Sequence, residues 1–127
     1  MPKYDAENFD PPAPVAHVLL RNPATGVSLQ DVPMLIDTGA DATAIPSTYA
    51  GQLNIEPMID KAYMVEGFDG QSRIVRTAEA EIEIVGRLFR GQFLLVDRPH
   101  GYLGRNILNN LRILLDGPRN EWTEHKK

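Results

Sequence analysis

The chain has 127 residues, with 13 lysines and arginines against 17 aspartates and glutamates, for a net charge of -4. That length suits one domain, and the acidic balance gives no electrostatic case for a nucleic-acid partner. Cysteine is absent, which excludes disulfides, thiolate metal sites and a cysteine nucleophile together. No apolar run approaches the roughly 20 residues that span a bilayer, and the residues after Met1 lack a signal peptide's apolar segment. The expectation is therefore a cytoplasmic chain with no membrane partner. Ten glycines and ten prolines point to many turns and short strands instead of long helices.

In chain order, residues 1–14 are polar and end in Asp10-Pro11-Pro12-Ala13-Pro14, so they read as an extended arm. Val15 to Arg21 reads as a strand, stopped by the turn cluster Asn22-Pro23-Ala24-Thr25-Gly26. Val27 to Gln30 reads as a returning strand, and Val32 to Ile36 as the strand that delivers Asp37 onto a turn of small residues. Ser47 to Gly51 looks like a helical turn with Ser47 as a possible cap. Residues 61–66 are strand-like and meet Gly67-Phe68-Asp69-Gly70, where Asp69-Gly70 is a strong hairpin signal.

The cleanest periodicity follows. Glu79, Glu81 and Glu83 alternate with Ala80, Ile82 and Ile84, the pattern of a half-buried strand with an acidic solvent face. Gln92 to Val96 is a further strand and residues 97–101 a loop. Ile107, Leu108 and Leu111 sit at helical spacing, so a helix is expected over 105–111. Arg112 to Asp116 reads as a last strand, and residues 118–127 as a polar tail. A weak internal similarity relates residues 15–51 to 72–111, each running hairpin, apolar strand, glycine turn and helix, with the Asp37 turn set against Leu103-Gly104.

Asp-Thr-Gly is a weak signal alone. It becomes specific with Leu35-Ile36 before it and Ala40-Asp41-Ala42-Thr43 after it, with Leu103-Gly104-Arg105-Asn106 opening the last helix, and with the glycine-bearing hairpin at 63–70. With these three features in this order, the sequence resembles the retropepsins, the retroviral-type aspartic proteases, over roughly residues 15–116. Competing chemistries lack support. His17, His100 and His125 are scattered with no metal-ligand spacing, no Gly-x-Ser-x-Gly occurs, and no Lys-Ser/Thr follows Gly67 to Gly70. No metal and no cofactor is expected.

The resemblance implies a mostly β fold: a closed acid-protease-type barrel or sandwich with one short C-terminal helix and one lobe per chain. It implies a protease domain over 15–117, flanked by the arm and the tail, with a flap at about 61–77. It implies an aspartic endopeptidase acting on peptide or protein substrates, because water-mediated peptide hydrolysis needs an acid and a base, and two carboxylates about 3 Å apart share one proton and divide those roles. The chain carries one Asp-Thr-Gly, so the partner acid has to come from a second copy, on a two-fold axis. Asp37 would be catalytic. Thr38, Gly39, Ala40, Asp41, Arg105 and Asn106 would support it, with Thr38 bonding across the axis, Asp41 and Arg105 forming an ion pair, and Asn106 beginning the helix beneath. Met64, Val65, Glu66, Gly67 and Phe68 would form the flap, although Glu66 and Asp69 replace the small or apolar residues expected there. The dimer would form through the active-site loops and through Ile113, Leu114 and Leu115, with the arm contributing less. The alternative is a non-proteolytic peptide-binding or dimerisation module on the same fold.

Overall fold

Period-two alternation lets one strand cover a core with one face and meet water with the other, and this chain uses it repeatedly. The computed structural model describes residues 2–58, 62–66, 70 and 72–126. Its strands are β1 (Tyr4–Asp5), β2 (Ala13–Arg21), β3 (Ser28–Ile36), β4 (Ala44–Pro46), β5 (Ala62–Glu66), β6 (Ser72–Ile84), β7 (Arg87–Val96), β8 (Gly101–Leu103), β9 (Ile113–Asp116) and β10 (Glu121–Glu124). Two short helices, α1 (Ser47–Gln52) and α2 (Arg105–Leu108), and a 3-10 turn (Gly117–Arg119) complete the described elements. The fold is mostly β, as expected, and its two short helices lie at the helical turn expected from Ser47 and at the C-terminal helix expected from residue 105.

Six strands close into a barrel in the order β2-β3-β8-β4-β7-β6, and pairing of β2 with β6 from Leu19↔Glu83 to Arg21↔Glu81 seals the ring. Closure removes the open edges that an isolated sheet would expose. The interior is filled by Val18, Leu20, Val32, Met34, Ile45, Ala80, Ile82 and Leu103, all essentially inaccessible. Burying each of the larger aliphatic side chains contributes about 1.5–3 kcal/mol. On β6 the expected alternation holds. Ala78, Ala80, Ile82 and Ile84 are buried, while Glu79 and Glu83 are exposed. Arg90 of β7 pairs with Glu79 at 2.5 Å, in full contact with water, where such a pair contributes little.

The internal similarity is real in the topology but differently aligned. β3 pairs with β8 in parallel, β7 pairs with β4 in parallel, and β4 meets β8 antiparallel. Exchanging β2 with β6, β3 with β7 and β4 with β8 maps the ring onto itself. The counterpart of the Asp37 turn is therefore the loop after β7, residues 97–100, and not Leu103-Gly104. Gly104 instead matches Pro46, and these two residues are the N-caps of α2 and α1.

Several boundaries differ from the sequence reading. β3 runs unbroken through Asp31, which takes a positive φ of 60°. β6 and β7 form one hairpin through Val85 and Gly86, both at positive φ, the geometry of a tight two-residue turn. Pro46 caps α1 and Ser47 is its first residue, with no side-chain cap bond. The helix expected over 105–111 ends at Leu108. The hairpin β5–β6 is present, Glu66↔Ser72 being its last registered pair and Gly70 having φ 74°, while Gly67, Phe68 and Asp69 lie outside the described residues.

Both chain ends are folded onto the barrel. The stretch read as an arm carries β1, paired with β2 at Tyr4↔Pro14 and Asp5↔Ala13. The stretch read as a polar tail carries β10, antiparallel to β9. Trp122 of β10 is 3% exposed and its indole N–H donates to Val15 O at 3.1 Å. A groove of about 770 Å³ separates the arm from β2 and the β6–β7 turn, and it shares no residue with the Asp37 turn. Phe9, His100 and Tyr102 stack edge to face, with centroids 4.9 and 5.2 Å apart. Partial burial holds the His100 imidazole below its ordinary pKa, with Arg98 adding to the effect and Asp5 opposing it.

Trp122→Ala should cost about 3–5 kcal/mol by cavity formation, read as a lowered urea midpoint. Because the folded pKa of His100 lies below the unfolded value of 6.5, its contribution is intact above that pH and is lost as pH falls through the folded pKa. The urea midpoint of His100→Gln should therefore drop less than that of the wild-type chain on acidification below about 6.5.

Candidate active site

The site begins with the side-chain alternation of β3. Val32, Met34 and Ile36 point into the barrel and are buried, so the chain leaves the core at Asp37. β8 runs beside it in parallel, with Met34↔Gly101, Leu35↔Tyr102 and Ile36↔Leu103 in register. Asp37 N continues this ladder by donating to Leu103 O at 3.0 Å. The chain then turns, with Ala40 N donating to Asp37 O at 3.2 Å.

The carboxylate of Asp37 is half-buried and accepts the Gly39 backbone N–H at Oδ1, 3.0 Å away. Its Oδ2 has no protein hydrogen-bond partner among the described residues. A Cβ at position 39 would lie 3.2 Å from that same Oδ1, so glycine allows the amide to reach the carboxylate without crowding it. Thr38 and Gly39 are exposed.

The far side of the turn is fastened to the start of α2. Arg105 N donates to Ala40 O at 2.8 Å, and Arg105 Nη1 donates to Thr38 O at 2.7 Å. Buried Thr43, 1% exposed, accepts the Gly104 N–H at 3.0 Å and donates its hydroxyl to Asn106 Oδ1 at 2.7 Å. A Cβ at Gly104 would sit 2.5 Å from Ala42 O, so only glycine lets the two backbones approach this closely.

Sequence reasoning thus places Asp37, Thr38, Gly39, Ala40, Asp41, Arg105 and Asn106 in one constellation, and the structure brings them together. One contact is corrected. Arg105 forms no ion pair with Asp41, because its guanidinium is used on the Thr38 carbonyl, and Asp41 is exposed and unpaired among the described residues. Asn106 is the second residue of α2, which begins at Arg105, and its side chain serves Thr43. Thr43 itself is the residue the sequence reading passed over. Its signal was a lone hydroxyl in the otherwise apolar run Ala42-Thr43-Ala44-Ile45. Met64, Val65 and Glu66 lie on β5 opposite Ile74, Arg73 and Ser72. Gly67 and Phe68 lie outside the described residues.

Residues 25–110, more than half of the chain, match the family model described as "gag-polyprotein putative aspartyl protease". The chain belongs to this retroviral-type aspartyl protease family. Among solved structures, the EIAV protease complexed with the inhibitor HBY-793 is similar, with a TM-score of 0.57 and 24% identity over 84% of this chain and 91% of that one. That likeness establishes the retropepsin-like fold of the chain as a single lobe. The family match spans β3 to α2, and β1, β2, β9 and β10 lie outside it.

Thr43→Val keeps the shape of the side chain but strands the Gly104 N–H and the Asn106 carbonyl. It should cost about 1–3 kcal/mol, measured by chemical denaturation, and Thr43→Ser should recover most of that loss.

Proposed function

We propose that this retropepsin-like chain is an aspartic endopeptidase, active as a homodimer in which the two Asp37 carboxylates flank one catalytic water. The observation that carries the reading is the Asp37 turn itself. Its carboxylate is oriented by one backbone N–H and, among the described residues, leaves an oxygen without a protein partner, in a chain that carries one Asp-Thr-Gly. Two like carboxylates about 3 Å apart cannot both ionise, so the pair holds one proton. The ionised group takes a proton from water as it attacks the scissile carbonyl, and the protonated group then supports protonation of the leaving amine. No covalent intermediate is needed.

In this reading Thr38 bonds across the two-fold axis, and the Arg105 guanidinium on the Thr38 carbonyl fixes the turn that presents it. Gly39 lets an extended peptide approach the turn backbone. The β5–β6 hairpin acts as the flap and pairs with the substrate as an added strand. The catalytic lobe corresponds to residues 15–117, and activity is greatest at acidic to mildly acidic pH, because loss of the shared proton removes the general acid.

Asp37→Asn removes the base while preserving shape. Peptide-library cleavage should fall by at least about 10²-fold, with the dimer intact by sedimentation. Cleavage at the wild-type rate by this variant would end the proposal.

A further inference from the structure

We infer that the groove between the N-terminal segment, β2 and the β6–β7 turn docks an extended segment of another protein that carries lysine or arginine side chains, and that this segment pairs with β2 at His17. The groove has a volume of about 770 Å³, within the range of about 300–1,000 Å³ usual for ligand sites. It shares no residue with the Asp37 turn, or with the smaller groove of about 220 Å³ beside Thr38 and Arg105. Docking there uses neither Asp37 nor the reaction proposed for it.

The outer edge of β2 is interrupted where this groove lies. β1 covers it at Ala13 and Pro14, and β6 covers it from Leu19 to Arg21. Between them, among the described residues, only the inner edge is paired, with β3. The alternation of bonded and non-bonded pairs along an antiparallel ladder says which backbone groups are left. Tyr4 N donates to Asn120 O at 2.7 Å, away from β2, so Asp5↔Ala13 is the bonded pair of the β1–β2 ladder. Ala13, Val15 and His17 therefore direct their amide groups outward. Val15 O accepts the Trp122 indole N–H at 3.1 Å. His17 lies opposite Pro33, which has no N–H to offer it from the inner side. The register that sets Leu19 opposite Glu83 would bring Val85 opposite His17, and there β6 has ended in the turn at Val85 and Gly86. The N–H and C=O of His17 thus face the groove, and an extended chain can take them as an added strand.

A free edge accepts any extended chain, and the charge of the groove selects among them. Asp5, Glu7, Asp31 and Glu83 line it against Lys3 and His17. Among the described residues no cation pairs with Glu7, Asp31 or Glu83. Asp31 owes its place to a bulge. β2 and β3 slip between Val18↔Val32 and Leu20↔Leu29, so Gln30 and Asp31 together oppose Leu19, and Asp31 takes a positive φ of 60°. Bulges of this kind re-aim a side chain. Asp31 on β3 and Glu83 on β6 thus flank Leu19 from either side, two residues along β2 from His17. Asp5 contributes charge without direct contact, because its oxygens already accept the Asn8 side-chain amide and the Glu7 and Asn8 backbone N–H groups. The bonds from Asn8 hold its carboxyl below the usual range. Basic side chains on the docked strand meet these carboxylates, while acidic ones are repelled.

The test uses a fluorescein-labelled peptide of alternating lysine and valine, titrated by anisotropy onto the full chain carrying Asp37→Asn, so that the probe stays uncut. The peptide should bind, and in the saturated complex the His17 amide should exchange with solvent at least about tenfold more slowly. The same peptide N-methylated at alternate residues, which cannot donate to a strand edge, should bind at least about tenfold more weakly. Adding Asp31→Asn and Glu83→Gln should weaken binding of the parent peptide at least about tenfold at low ionic strength, with the fluorescence of Trp122, the sole tryptophan, remaining that of the folded chain. The exchange and N-methyl measurements leave the groove itself unaltered, so they decide the matter even if the doubly neutralised chain fails to fold. No binding, unchanged exchange at His17, or an N-methylated peptide that binds as well as its parent would overturn the inference. Equal binding of a glutamate–valine peptide would do the same, as would slowed His17 exchange on concentrating the chain alone, which would assign the groove to a second copy.

Discussion

The close approach of Gly104 to the Ala42 backbone is the constraint on which the site depends. With no Cβ between them, Gly104 N reaches the buried hydroxyl of Thr43, and the same hydroxyl reaches Asn106. This contact draws the start of α2 beneath the Asp37 turn, so that Arg105 can bond to both Ala40 O and Thr38 O. β8 is thereby held between β3 and β4, parallel to one and antiparallel to the other. A turn exposed to solvent on one side is thus fixed from the other by a buried hydroxyl with two partners and a guanidinium on a carbonyl. The proposed pairing of Asp37 with a symmetric copy of itself would need that rigidity, because small displacements in its position are doubled across a two-fold axis.

The internal two-fold of the barrel shows what became of each of its two crossover turns. β2, β3 and β4 exchange with β6, β7 and β8 in the pairing pattern. The two crossover turns, after β3 and after β7, are nonetheless chemically unlike. The first is Asp37-Thr38-Gly39, small and open. The second is Asp97-Arg98-Pro99-His100, where His100 is engaged with Phe9 of the N-terminal segment and Tyr102 of β8. One crossover has become a reactive turn and the other a place where the chain end is attached. The proposed pair of carboxylates would take its second member from another chain.

How much of this was legible in the sequence depended on whether the signal was local. The β6 alternation was readable because Glu79, Glu81 and Glu83 mark one face without interruption. The Asp37 turn was readable because a polar residue ends an apolar run and small residues follow it. The Val85-Gly86 turn was missed because a β-branched residue at positive φ is not what a tight hairpin usually carries. Burial of Ile82 and Ile84 on one side and pairing of β7 on the other force it there. Trp122 sits among polar residues, and only the long-range bond to Val15 O makes it core. Arg105 was assigned to Asp41 on the family resemblance. In the structure Arg105 Nη1 bonds to Thr38 O while Asp41 faces water, where an exposed ion pair offers little in return for ordering a long side chain.

The terminal strands bear on how such a lobe associates. A chain that exchanges its ends with a partner completes its sheet only in the dimer, so folding and association become one event. Here β10 takes up one edge of β9 and the N-terminal residues take up the far edge of β10, so each lobe completes its own sheet. Trp122 ties that sheet to β2 of the barrel. Among the described residues, the fold of one lobe therefore needs no strand from another chain.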